Sequence, residues 1–66
     1  MCLSNVYKDE VKDENLLARN IADIKVEGSK IILTDLMGIR KELDATIKKV
    51  DLMDNYVVLT PGTEIM

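Results

Sequence analysis

The stretch that most constrains the fold is residues 22–34, where two β-rich runs meet at Gly28-Ser29. Before the glycine, Ala22, Ile24 and Val26 alternate with charged residues, and a second β-branched run follows directly. Such alternation is typical of a strand with one apolar face. A two-residue Gly-X connection is typical of a tight hairpin, because glycine supplies the positive φ that the turn requires. The stretch therefore predicts an antiparallel hairpin.

Shorter strands and turns are indicated on either side of this hairpin. Residues 1–7 alternate loosely and predict a short strand, and residues 56–60 predict the final one. Between the first strand and the hairpin, residues 8–15 are almost entirely polar and predict a solvated loop or a weak edge hairpin. Residues 35–38 and 53–55 predict turns, the first with Gly38 as its left-handed residue.

Residues 39–52 allow two interpretations. Ile39, Leu43, Ile47 and Val50 follow the spacing of one helix face. Alternatively, the segment forms two strands around an Asp44-Ala45 turn. The second strand would then need a bulge near residues 48–49, because its apolar residues change there from odd to even positions. Periodicity alone leaves both interpretations open.

The predicted fold class is all-β, a small antiparallel β-barrel of about six or seven short strands. Closure into a barrel would remove exposed sheet edges. The length allows one domain, residues 1–66, in which residues 61–66 are expected to form a flexible tail. The chain contains no Phe or Trp, so its core is thin, and one cysteine cannot form an internal disulfide. Small domains usually need added support, and we therefore expect a homodimer.

Charge and hydropathy exclude several classes of function. The net charge of −3 argues against a strong nucleic-acid binder, because phosphate contacts require a positive surface. Apolar runs reach only three or four residues, which is too short to span a bilayer. The amino terminus lacks the charged and apolar regions of a signal peptide. We therefore expect a cytoplasmic protein without membrane contact, in which a lone cysteine stays reduced.

Cys2 is the only cysteine, and the chain has no histidine, so soft-metal or redox chemistry has to use this thiol. A free cysteine is commonly a small buried hydrophobe, and that interpretation stays open. The position beside the amino terminus favours a metal ligand, because an amine nitrogen and a thiolate sulfur can form a chelate. Two chains would supply a nitrogen and sulfur set that suits Ni(II) or Cu(II), whereas zinc would take such ligands tetrahedrally.

Enzyme activity is not expected. Without histidine the chain has no Ser-His or Cys-His pair, and no nucleophile–base pair or glycine-rich phosphate loop is recognisable. An alternative function is a small RNA-binding β-barrel module. It would use Arg40, Lys41, Lys48 and Lys49, which form one basic patch only if their two segments pair as a hairpin. The missing aromatic residues and the acidic balance argue against this alternative.

Three segments together resemble the CooT family: MCLSNVY at residues 1–7, IADIKVEGSKIILTDLMG at residues 21–38 and TIKKVDLMDNYVVL at residues 46–59. CooT proteins are small nickel-binding accessory proteins associated with maturation of carbon monoxide dehydrogenase, and the family has also been labelled as predicted RNA-binding. The resemblance implies a homodimeric small β-barrel and favours two strands over a helix in residues 39–52. It also implies a nickel site on the cysteine after the initiator methionine, here Cys2, contributed by both protomers.

The leading hypothesis is therefore a non-enzymatic metallochaperone. It would bind Ni(II) through Cys2 of two protomers and deliver it to a nickel enzyme such as carbon monoxide dehydrogenase, or act with the maturation proteins of that enzyme. The RNA-binding module is the alternative. A third hypothesis is a plain interaction domain in which Cys2 is buried at a dimer contact.

Overall fold

Five strands form a closed barrel in the computed structural model, which describes residues 3–62. The strands are β1 (Ser4–Lys8), β2 (Leu16–Glu27), β3 (Lys30–Asp35), β4 (Arg40–Asp51) and β5 (Tyr56–Pro61). Consecutive strands pair antiparallel, and a parallel β1–β5 pair closes the ring. The predicted all-β barrel is confirmed, with five strands in place of six or seven.

The strand count differs from the prediction because β2 and β4 are each one long strand of 12 residues. The first half of β4 pairs with β3, and the second half, from Ala45 onward, pairs with β5. Ala45 is 4% exposed and lies in the core, so the predicted turn at Asp44-Ala45 and the alternative helix are both wrong. The predicted bulge is confirmed, since the register shifts between Ile47 and Lys49.

The hairpin at Gly28 is confirmed, and the first strand of that hairpin extends further back than predicted. Glu27 pairs with Lys30 around a turn in which Gly28 has a φ of 61°. A register shift between Ile21 and Asp23 changes which side chains face inward. Ile21 is therefore buried, whereas Val26 is 57% exposed. The alternation predicted the strand correctly but not the residue that it buries.

The core consists only of aliphatic side chains. Seven buried residues form one cluster at the centre of the barrel: Val6, Ile21, Ile31, Leu33, Ala45, Val57 and Leu59. Within residues 3–62, no polar or charged residue is buried. The stability of the barrel therefore depends on burial of a few aliphatic groups, as expected for a chain without Phe or Trp.

The remaining predictions concern the connections and the ends. Residues between β1 and β2 form an exposed loop with a short 3₁₀ turn at Asp13–Asn15, as the polar composition predicts. Pro61 belongs to β5, and the Gly62 N–H donates to the Asp44 carbonyl at 2.7 Å, so these two residues join the barrel. The rest of the predicted tail, residues 63–66, lies outside the described residues.

Among residues 3–62 there is no helix with the length and hydropathy that are needed to span a bilayer.

Candidate functional site

The beginning of β1 is held between its two neighbouring strands by Asn5. The Asn5 backbone N–H donates to the carbonyl of Asn55, which precedes β5, at 3.1 Å. The Asn5 side-chain oxygen accepts from the backbone N–H of Asn20 in β2 at 3.4 Å. Asn20 and Asn55 both have positive φ, which asparagine tolerates better than most residues. The beginning of β1 is thus fixed at one end of the barrel.

The turn between β3 and β4 lies beside this point. The Asp35 carboxylate accepts from the backbone N–H groups of Met37 at 2.9 Å and Ile39 at 3.0 Å. Gly38 completes the turn with a φ of 86°, which confirms its predicted left-handed role. The Leu36 N–H donates to the Asn20 carbonyl at 3.0 Å, so Asn20 links this turn to Asn5.

The turn between β4 and β5 lies on the other side of β1. The Asp51 carboxylate accepts from the N–H groups of Asp54 at 2.8 Å and Met53 at 3.0 Å. These hydrogen bonds, above all the one from the Asp54 N–H, hold the pKa of the Asp51 carboxyl below its usual 3.8. The tripeptide Asp-Leu-Met occurs in both turns, at residues 35–37 and 51–53, and forms the same kind of side-chain cap in each.

Both turns expose apolar side chains around the beginning of β1. We call these five residues the N-terminal rim: Leu36, Met37, Ile39, Leu52 and Met53. Met37 is 79% exposed, and Leu52 and Met53 are 82% and 92% exposed. Large apolar groups in adjacent turns are unusual on a free surface, because turns are ordinarily polar, and such patches commonly mark contact sites. Sequence reasoning missed the rim, although the repeated Asp-Leu-Met was a signal for it.

Cys2, the predicted metal ligand, lies outside the described residues. Within residues 3–62, no group of three or more cysteine, aspartate or glutamate side chains is arranged to hold a metal ion. The acidic residues of the β1–β2 loop are exposed, which agrees with the predicted solvated loop. The predicted metal ligand is thus neither supported nor contradicted by residues 3–62.

The basic patch proposed for RNA binding is not formed. Its two pairs lie on the single strand β4 and not on two strands of a hairpin, so Lys41 and Lys48 are about 23 Å apart along the strand at about 3.3 Å per residue. Lys48 Nζ donates to the Asp9 carbonyl at 3.1 Å. Lys49 Nζ lies 5.5 Å from the centre of the Tyr56 ring, and attraction to that side chain raises the pKa of Lys49.

Protonation of Asp51 is expected to weaken the β4–β5 turn in acid. The folded-state pKa lies below the usual 3.8, so the stabilisation is complete above about pH 3.8 and is lost as the pH falls through the folded-state value. Asp51→Asn keeps one acceptor oxygen but cannot titrate. Urea unfolding between about pH 5 and about pH 2.5 is expected to show a shallower loss of stability for this variant than for the wild type.

The control for this experiment is Asp23→Asn, which changes an exposed aspartate in β2 whose carboxylate accepts none of the described hydrogen bonds. This control is expected to follow the wild-type profile. Parallel profiles for Asp51→Asn and the wild type would show that the Asp51 cap contributes no pH-dependent stability.

Comparison with known proteins identifies the family. A family model described as CO dehydrogenase accessory protein CooT matches residues 1–60. The chain belongs to the CooT family. The CooT match includes Cys2, all five strands up to Thr60 and both turns of the N-terminal rim.

Two relatives agree with membership of the CooT family. An uncharacterised protein of Methanocaldococcus jannaschii is 32% identical over 59 residues, which cover 89% of this chain and 96% of the relative. A crystal structure assigned to CooT of Carboxydothermus hydrogenoformans superposes with a TM-score of 0.80 at 21% identity, covering 92% of this chain and 98% of that one. At this identity the structural likeness establishes a common barrel fold.

Proposed function

We propose that this protein is a non-enzymatic accessory protein of the carbon monoxide dehydrogenase system that carries Ni(II) in the cytoplasm. The proposal is carried by one observation: the family model for CO dehydrogenase accessory proteins matches a region that includes the only cysteine of a histidine-free chain. Its cargo would be a metal ion, because the thiolate of Cys2 and the nitrogen atoms beside it are soft donors suited to Ni(II).

One chain offers too few such donors to hold the ion alone. Amine, amide nitrogen and thiolate at the amino terminus amount to two or three ligands, whereas two chains double that number. We therefore propose that two Cys2 thiolates, one from each protomer of a homodimer, share one Ni(II). A site made from chain ends would also exchange its metal more readily than a buried cage, which suits delivery to an enzyme.

The N-terminal rim supports this arrangement. Cys2 is separated by Leu3 alone from Ser4, the first residue of β1, and the two turns that expose Leu36, Met37, Ile39, Leu52 and Met53 flank that strand. Burial of these side chains against a second copy would remove apolar surface from water and bring the two amino termini together. A twofold axis through the rim is the simplest geometry that does both.

The test is a titration of Ni(II) into the wild type and Cys2→Ser. The wild type is expected to develop thiolate-to-nickel absorption that saturates at one Ni(II) per two chains, and Cys2→Ser is expected to lack it. Because metal binding requires deprotonated ligands, the wild-type affinity is expected to fall as the pH is lowered. Intact mass of the same samples establishes whether Met1 is present.

The control variants are Met37→Leu and Met53→Leu, which remove exposed thioethers but keep the rim apolar. Both are expected to bind Ni(II) as the wild type does. Equal binding by wild type and Cys2→Ser would refute the nickel proposal. Saturation at one ion per chain, with a monomer at all concentrations, would refute the shared site.

A further inference from the structure

A groove runs along the side of the barrel between β2 and β4. Two adjoining cavities form it, of about 240 and 340 Å³, and Leu17 lines both. The smaller lies between residues 17–19 of β2 and residues 39–41 at the start of β4. The larger continues along residues 42–45 of β4. We call the two cavities together the β2–β4 groove.

The strand pairing explains why this side is open. The first half of β2 pairs with β1, and β3 joins β2 only from Ile21 onward. The first half of β4 pairs with β3, and β5 joins β4 only from Ala45 onward. No strand therefore lies between the free edges of these two halves. Among the hydrogen bonds of residues 3–62, the one that crosses the gap is from Lys41 Nζ to the Leu17 carbonyl, at 3.0 Å.

The floor of the groove is the aliphatic core. Ile21 and Leu33, which are 5% and 0% exposed, lie beneath the smaller cavity. Ala45 and Leu59 lie beneath the larger one, with Leu43 beside them. Each cavity has room for an aliphatic side chain, and filling it would bury apolar surface on both partners.

Three positively charged side chains line the smaller cavity. Arg19, Arg40 and Lys41 line it, and none of them takes part in the ion pairs found among residues 3–62. Asp35 is the one acidic residue that lines the smaller cavity, and its carboxylate already accepts two N–H groups of its own turn. The larger cavity is lined by Glu42 and Asp44 as well as Lys8, so the excess of positive charge is confined to the end of the groove that the smaller cavity forms. In a chain of net charge −3, three unpaired cations around an apolar cavity favour a negatively charged partner.

We propose that the β2–β4 groove binds an extended, acidic segment of a partner protein that carries aliphatic side chains. The aliphatic side chains fill the two cavities, and carboxylates contact the three cations at the basic end. A single-stranded RNA fits less well, because no aromatic side chain lines either cavity and base stacking supplies much of such binding. This proposal does not depend on nickel, although Ile39 belongs to both the groove and the N-terminal rim.

The test is fluorescence anisotropy with four labelled probes and the full chain. Three are end-capped octapeptides of alternating residues: valine with glutamate, serine with glutamate, and valine with lysine. The fourth is an oligouridylate of eight nucleotides. The valine–glutamate peptide is expected to bind at least about tenfold more tightly than each of the others. Its binding is expected to weaken as the salt concentration rises from about 0.05 to about 0.5 M.

Charge reversal in the groove is expected to abolish the preference. Arg19→Glu combined with Arg40→Glu should weaken binding of the valine–glutamate peptide by at least about tenfold. Lys12→Glu combined with Lys25→Glu makes the same change of charge outside the groove, because neither lysine nor its ion-pair partner, Glu10 or Glu27, lines either cavity. This variant should weaken binding less than about twofold. Circular dichroism of each variant establishes folding, and amide chemical-shift changes in the wild type should map to residues 17–21 and 39–45. Cys2→Ser should bind the peptide normally.

Several results would overturn the proposal. One is no anisotropy change with the valine–glutamate peptide at low salt. Others are equal binding of the serine–glutamate peptide, tighter binding of the oligouridylate, or equal losses in the two double variants. Chemical shifts that change only around the N-terminal rim would place the contact at the wrong surface.

Discussion

Leu33→Ala is expected to lower the free energy of unfolding by about 3 kcal/mol. Leu33 is fully buried and belongs to a core cluster of only seven residues, none of them aromatic. At about 0.05–0.15 kcal/mol per residue, a domain of this size has a total stability of only about 3–10 kcal/mol. The variant therefore loses a large share of its stability, and urea unfolding followed by circular dichroism measures the loss.

Leu52→Ala is the matched control, because it removes the same atoms from a side chain that is 82% exposed. Its effect on the unfolding of a single chain is expected to stay within about 0.5 kcal/mol. Both variants are unfolded at several protein concentrations, since association of folded chains makes the midpoint concentration-dependent. Equal losses for the two variants at low concentration would contradict the barrel core described above.

The features that could be predicted from sequence are those specified locally. Gly28 and Gly38 both have positive φ in the structure, and Gly28 stands between two runs whose alternation and β-branching indicate strands. The bulge between Ile47 and Lys49 could also be predicted. The apolar residues of this segment change from odd to even positions, and one extra residue in the strand keeps them on the same face of the sheet. These signals involve neighbouring residues and are independent of how the barrel closes.

The long strands could not be predicted because their continuity depends on distant partners. Ala45 is at the point where β4 leaves β3 and joins β5, and neither partner is adjacent to it in sequence. The two-strand interpretation placed a turn at Asp44-Ala45, but Ala45 is buried in the barrel, where its small side chain fits the core. The parallel β1–β5 pair is likewise a contact between the two ends of the chain.

The candidate site was only partly accessible to sequence reasoning. Cys2 could be selected by composition alone, as the one thiol in a chain without histidine. The repeated Asp-Leu-Met indicated two similar turns but not that they lie beside β1, because Leu36-Met37 and Leu52-Met53 are 16 residues apart. They come to flank β1 through its pairing with β2 and β5 and through the hydrogen bonds of Asn5 with Asn20 and Asn55. Hydrogen bonds between three asparagines that are distant in sequence leave no pattern in a single sequence.

Two aspartates in the rim are expected to abolish the dimer and, with it, the shared nickel site. Leu52→Asp combined with Met53→Asp places two carboxylates on each chain where the proposal requires apolar contact. The added charges also increase the repulsion between two chains that each carry a net charge of −3. The dissociation constant of the dimer is expected to rise by about a hundredfold or more, which is about 2.7 kcal/mol. Sedimentation velocity measures the association, and thiolate-to-nickel absorption at the same protein concentration measures the site.

The matched control is Val11→Asp combined with Val26→Asp, which adds the same charge at exposed valines away from the beginning of β1. This variant should sediment and bind Ni(II) as the wild type does, because general repulsion between surface charges is screened at physiological salt. If the rim variant dimerises normally, the second copy docks on another face. If it is monomeric yet keeps the full absorption, the rim forms the dimer contact but one chain alone holds the ion, which contradicts the shared site.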